Sequence, residues 1–193
     1  SCDRHGVHLI ADEIMTGFGR TGTFFAHEQA GIRPDFLCLS KGITGGYLPL
    51  SVVMTTDDVY AAFYDDAVSR GFLHSHSYTG NALACRAALA TLDIFEQDDV
   101  IAANRAKARR YSELLRPLAQ HPLVHNFRNT GMIWAFEVES SEPVGRRVFE
   151  EGLKRELLLR PIGNTVYFMP PYVITDEEMA LLAERAVAIL DQL

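Results

Sequence analysis

The stretch VHLIADEIMTGFGRTG, residues 7–22, joins an apolar run to two adjacent acids and then to three glycines set around an arginine. VHLIA (7–11) is continuously apolar rather than alternating, the pattern of a strand covered on both faces of a layered α/β sheet. Gly17, Gly19 and Gly22 spell G-x-G-x-x-G, which after a strand is the fingerprint of a dinucleotide-binding turn. That fingerprint needs its first glycine directly after the strand and a helix N-terminus after its last. Here five residues intervene, both acids among them, and GTFFAHEQ is short and aromatic for a crossover helix. A dinucleotide-binding domain using residues 17–22 is the alternative these glycines offer. The acids are the more informative part.

Working outward, DFLCLS (35–40) and LSVVMT (50–55) repeat the continuous apolar pattern, separated by the loops GFGRTG, GIRP and KGITGGYLP. A helix is expected from Asp57 to about Tyr64, capped by Thr56 or Asp57. An Ala/Leu-rich helix extends from Asn81, its N-cap, to about Phe95. A longer one covers about 100–120, with Arg105, Lys107, Arg109 and Arg110 on a basic face and Pro117 breaking its last turn. After HPLV the pattern changes. A strand near 124–128 leads to GMIWAFEVE (131–139), whose partial alternation suits an antiparallel sheet with one wet face. A helix opened by Pro143, short strands at 157–161 and 166–170, and a helix over 176–193 complete the chain. The expected fold class is α/β, with a layered part over residues 1–100 and a smaller α+β part over 101–193.

Composition narrows the function classes. The chain has 193 residues, 48% hydrophobic and 22% charged, a balance that fills a real core. Its net charge of −7 argues against nucleic-acid or anionic-membrane partners. Cys2, Cys38 and Cys85 include no C-x-x-C pair, which speaks against a disulfide framework or a cysteine zinc site and for a reducing, cytoplasmic setting. No apolar run approaches a membrane span. The chain starts without methionine and enters a strand within seven residues, as a chain beginning mid-domain would.

Three places carry candidate chemistry. A carboxylate at the carboxyl end of a parallel strand stands where open α/β sheets bind ligands, although a strand-end acid can equally be a cap or an ion pair, here with Arg20. Lys41 comes after FLCLS and precedes GITGG. A lysine there is either a solvated loop residue or an amine nucleophile able to form Schiff bases. In HSHSYTGN (74–81), His74 and His76 lack a third metal ligand nearby, whereas Ser77 and Thr79 lead into the helix start at Asn81 and suit a phosphate. Pyridoxal phosphate would use all three: a lysine for its aldehyde, a carboxylate for its ring nitrogen and a cradle for its phosphate. The glycines of GFGRTG then serve as mounting for the acids.

LIADEIMTGFGRTG, PDFLCLSKGITGGYLPLS and HSHSYTGNALAC, in that order, resemble the class III (fold type I) pyridoxal-phosphate aminotransferases over essentially the whole chain. The resemblance implies the second half of a large three-layer α/β domain plus a small C-terminal α+β domain. It implies that Asp12 pairs with the ring nitrogen, Ile14 packs on one ring face, and Lys41 is the catalytic, cofactor-bearing lysine. The resemblance also puts His76 and Ser77 among the cofactor-binding residues, with Ser77 reaching the phosphate of a neighbouring subunit, and so implies a homodimer with a shared site. LLLRPIGNTVYFMPPYVIT resembles the tail of the branch that aminates 8-amino-7-oxononanoate in biotin biosynthesis, with adenosylmethionine or lysine as amino donor. There Arg160 would bind the keto acid's carboxylate, with Arg20 near the donor end and Gly46 among the substrate-binding residues. Arg160 can also be read as a surface arginine at a strand end. A general ω-aminotransferase of the same class is the nearest alternative. The family's remaining site elements precede these motifs, so residues 1–193 alone are expected to be inactive.

Overall fold

Two separate three-stranded sheets organise the chain in the computed structural model, which describes residues 1–193 and divides into the units Ser1–Ile101 and Ala102–Leu193. In the first unit, helix α1 (Cys2–His5) precedes strands β1 (Ile10–Asp12), β2 (Phe36–Leu39) and β3 (Val52–Thr55). The sheet runs β1-β2-β3, with β1 parallel to β2 and Asp12 opposite Cys38, and β3 antiparallel to β2 with Val52 opposite Leu39. Helices α2 (Asp57–Ala61) and α3 (Ala82–Gln97) come next. The Asn81 side chain caps α3 by accepting the Ala84 N–H at 3.0 Å.

Three expectations change here. The first strand is shifted: the amides of Asp35 and Phe36 both donate to the Leu9 carbonyl, so pairing with β2 begins there and carries Asp12 into the strand itself. Helix α2 stops at Ala61 rather than near Tyr64. The strands are not covered on both faces. Leu37 and Leu39 are buried against Phe18, Ile43, Phe24, Phe25, Ala88 and Phe95, while Ile10 and Val53 are each 63% exposed. Continuous apolar character marks what a strand can bury, and within this unit the aromatic loop and α3 cover only one side.

The second unit holds most of α4 (Val100–Leu114), then α5 (Arg116–Ala119), β4 (Val124–Thr130), β5 (Ile133–Val138), α6 (Gly145–Lys154), β6 (Thr165–Phe168) and α7 (Asp176–Leu190). Its sheet, β4-β5-β6, is wholly antiparallel. Trp134, Phe136 and Val138 alternate inward from β5 onto Tyr111, Leu115, Leu118, Met179 and Ile189. The two polar tips in this core are paired: Trp134 Nε1 donates to Ser112 Oγ at 2.9 Å and the Tyr111 hydroxyl to the Ile174 carbonyl at 2.6 Å. The helix expected over 100–120 is broken ahead of Arg116-Pro117, because proline has no amide to continue the ladder. The strand expected at 157–161 does not form. The Leu157 amide instead caps the end of α6 by donating to the Gly152 carbonyl at 2.9 Å, and pairing resumes only at the Ile162–Thr165 bridge. No helix is long and apolar enough to cross a membrane.

Candidate active site

The parallel pairing of β1 and β2 puts Asp12 and Lys41 at the same end of the sheet, where the two strands finish. Asp12 closes β1, and Lys41 lies three residues beyond its register partner Cys38. With strands about 4.8 Å apart and about 3.3 Å per residue, the two Cα atoms are within roughly 11 Å. Both residues are exposed. Asp12 Oδ1 accepts the Ile14 amide at 3.0 Å, which leaves its other oxygen for a ligand and puts the half-buried Ile14 beside it.

Lys41 opens a short 3₁₀ turn, Lys41–Thr44, at a backbone φ of 44°, in the left-handed region that costs a non-glycine residue strain. Ser40 fastens the approach by donating to the Leu50 carbonyl at 2.7 Å. Gly42 packs closely behind it: a Cβ there would meet the Phe18 side chain at 3.0–3.2 Å. The chain has three lysines. Lys107 donates to the carbonyls of Tyr172 and Ile174, and Lys154 pairs with Glu151. Lys41 alone has its amine unengaged.

The loop between the acids and β2 is shaped by its glycines. Gly19 and Gly22 have φ of 87° and 97°, and a Cβ on Gly17 would meet the Glu13 carbonyl at 2.8 Å. The glycines lead into a 3₁₀ turn, Ala26–Ala30, and not into a helix N-terminus, so they build no phosphate loop. The other acid, Glu13, points inward and is 2% exposed. It accepts from Ala26 N–H, His27 N–H, the Thr16 hydroxyl and His27 Nδ1. Burial pushes its carboxyl up, but these hydrogen bonds together outweigh burial and hold it below the usual carboxylate range. Neither the inward turn of Glu13 nor the part played by Phe18 is marked in the sequence. Strand alternation is the available signal, since neighbours in a strand face opposite sides and only one of two adjacent acids can point outward.

Ser77 begins an exposed turn over 77–80. His76 closes that turn: its amide donates to Thr79 Oγ1 at 3.0 Å, and its Nδ1 accepts the Tyr78 amide at 3.1 Å. With Nδ1 an acceptor, the neutral ring carries its proton on Nε2. His74, His76, Tyr78 and Thr79 line an open groove of about 1630 Å³ with Ser40, the residue before Lys41. No group of three His, Cys, Asp or Glu side chains is placed to hold a metal. Gly46 is exposed at φ 83° with open space where a Cβ would stand. Arg20 is half-buried in the glycine loop. Arg160, in the second unit, is exposed between the buried Leu159 and the half-buried Pro161.

A free amine and a half-satisfied carboxylate at one end of the sheet, beside glycine backbone that gives close access, fit the aldehyde and ring nitrogen of pyridoxal phosphate. The profile of the Aminotransferase class-III family matches residues 1–190. The chain belongs to the class III aminotransferases. It is 51% identical to the adenosylmethionine-8-amino-7-oxononanoate aminotransferase of Helicobacter pylori, over all of this chain and 46% of that protein. The like-named protein of Nitratidesulfovibrio vulgaris is 44% identical over 94% of the chain and 35% of its own length. Among solved structures, the like-named enzyme of Methanocaldococcus jannaschii superposes with a TM-score of 0.90 at 37% identity, over 99% of this chain and 47% of that one. The fold is therefore that of the fold type I class III aminotransferases, and the chain spans about half the length of the relatives it matches.

Proposed function

We propose that the complete gene product is a pyridoxal-phosphate-dependent aminotransferase of biotin biosynthesis. It aminates the ketone of 8-amino-7-oxononanoate to give 7,8-diaminononanoate, with adenosylmethionine or lysine as donor. The reading rests on Asp12 at the end of β1 and Lys41 in the turn just beyond β2, its parallel, registered neighbour. The relatives' names supply the substrate.

Bound pyridoxal phosphate supplies an electron sink for the carbanion left when a substrate carbon loses its proton. Lys41 would hold its aldehyde and, once displaced by the donor amine, move the proton at the substrate carbon as general base and then general acid. Asp12 would keep the ring nitrogen protonated, and Ile14 would pack on a ring face. His76 and Ser77 would serve the phosphate, Ser77 that of the neighbouring subunit in a cytoplasmic homodimer. The Arg160 guanidinium would meet the keto acid's carboxylate bidentately, with Arg20 and Gly46 on the substrate side. Residues 1–100 would complete the large cofactor domain and 101–193 form the small one.

The test is single-turnover spectroscopy of the complete gene product loaded with pyridoxal phosphate. The visible band of the lysine-bound cofactor is monitored as adenosylmethionine, lysine or a simple ω-amine is added separately. Bleaching by adenosylmethionine or lysine supports the biotin-pathway reading and identifies the donor. Bleaching by the simple amine alone moves the protein to the ω-aminotransferases.

A further inference from the structure

Glu13 is a buried ionised group that the proposed chemistry leaves unused, and its contacts lead to Asp12. Its main chain is tied to the neighbouring strand and to the loop: its amide donates to the Cys38 carbonyl at 3.0 Å, and its carbonyl accepts the Gly17 amide at 2.9 Å. Its side chain reaches the far end of the same loop. Oε1 accepts the His27 amide at 2.8 Å and lies 3.2 Å from His27 Nδ1, while Oε2 accepts the Ala26 amide at 3.0 Å and the Thr16 hydroxyl. An ionised carboxylate only accepts, so His27 Nδ1 carries the proton in this contact. The next peptide N–H, that of Ile14, is the one that holds Asp12 Oδ1.

We propose that Glu13 is the positioning residue for Asp12: by clamping the Thr16–His27 loop onto the end of β1 it fixes the peptide that aims the Asp12 carboxylate. The role given to Asp12 rests on the function proposed above. The clamp itself rests on contacts within the first unit. A carboxylate suits it because each oxygen serves two donors. An amide in the same place would turn its NH₂ toward one oxygen's partners, and in either flip a backbone N–H, of Ala26 or of His27, would face another donor.

The experiment compares the complete gene product with its Glu13→Gln and Thr16→Val variants. Without cofactor, amide hydrogen exchange is read at Ile14, Ala26 and His27. Glu13→Gln is expected to speed exchange about tenfold or more at all three positions. Thr16→Val, which removes one donor and keeps the carboxylate, is expected to act in the same sense by a smaller factor and serves if the first variant fails to fold. With cofactor, Glu13→Gln is expected to displace the pH midpoint of the visible band in the direction of Asp12→Asn, and to add nothing in the double variant. Faster exchange at Ala26 and His27 with Ile14 unchanged overturns the proposal, since Glu13 then fastens only its loop. A protein without a visible band whose Ile14 amide still responds loses the cofactor reading and keeps the clamp.

Discussion

Asp12 and Glu13 leave the end of β1 in opposite directions, so two identical charges in sequence become an outward ligand and an inward clamp. The inward one has a pH signature. Its folded-state carboxyl lies below the ordinary value of 4.5, so the stability it adds is complete above that value and is lost as pH falls through the lower folded value. Urea midpoints taken between pH 6 and pH 3 are expected to fall below about pH 4.5 in the parent and to change less in Glu13→Gln. The glycines separate by mechanism. Gly17→Ala forces a Cβ to 2.8 Å from a backbone carbonyl, whereas Gly46→Ala meets open space and only the strain of φ 83°. The first is expected to cost about 1–3 kcal/mol and the second about 1 kcal/mol, read as denaturant midpoints. Arg160→Met is expected to raise the KM for the keto acid about tenfold or more while leaving the donor half-reaction unchanged, because it removes a charge-assisted hydrogen-bonding partner of one substrate only. At this scale the sequence exposes which residues could do chemistry, but not which of two adjacent acids faces outward.

Elements whose boundaries are set by local chemistry are the legible ones. Asn81 caps α3, Pro117 ends the long helical run, and Thr175 and Glu178 form the reciprocal capping box that starts α7. Thr175→Ala is expected to cost about 1 kcal/mol of thermal or urea stability, since it leaves the Glu178 amide without its cap. Elements whose limits depend on tertiary pairing are less legible. LLLRP is apolar enough to read as a strand, yet its first amide closes α6 and its proline denies a ladder bond. β1 is displaced toward Asp12 because β2, distant in sequence, decides where pairing starts. Burial on both strand faces is an expectation from composition, and composition does not state what else must be present to cover them.

At the scale of the whole chain, the first unit leaves Tyr64, Phe72, Leu73 and Leu83 between 69% and 83% exposed, more apolar surface than an isolated soluble unit usually presents. Residues 1–193 expressed by themselves are expected to bind a hydrophobic dye, to self-associate through that surface and to show no aminotransferase activity, whereas the complete gene product is expected to bind little dye and to turn over. Dye fluorescence and sedimentation check this directly. Lys41, alone among three lysines in having a free amine, is the residue expected to carry the cofactor. The measurement that tests it is borohydride reduction of the cofactor-loaded complete gene product, with peptide mass mapping of the product. A stable pyridoxyl mass on the peptide containing Lys41, lost in Lys41→Ala, is the expected result; a label on Lys107 or Lys154, or none at all, would rule out Lys41 as the cofactor's lysine.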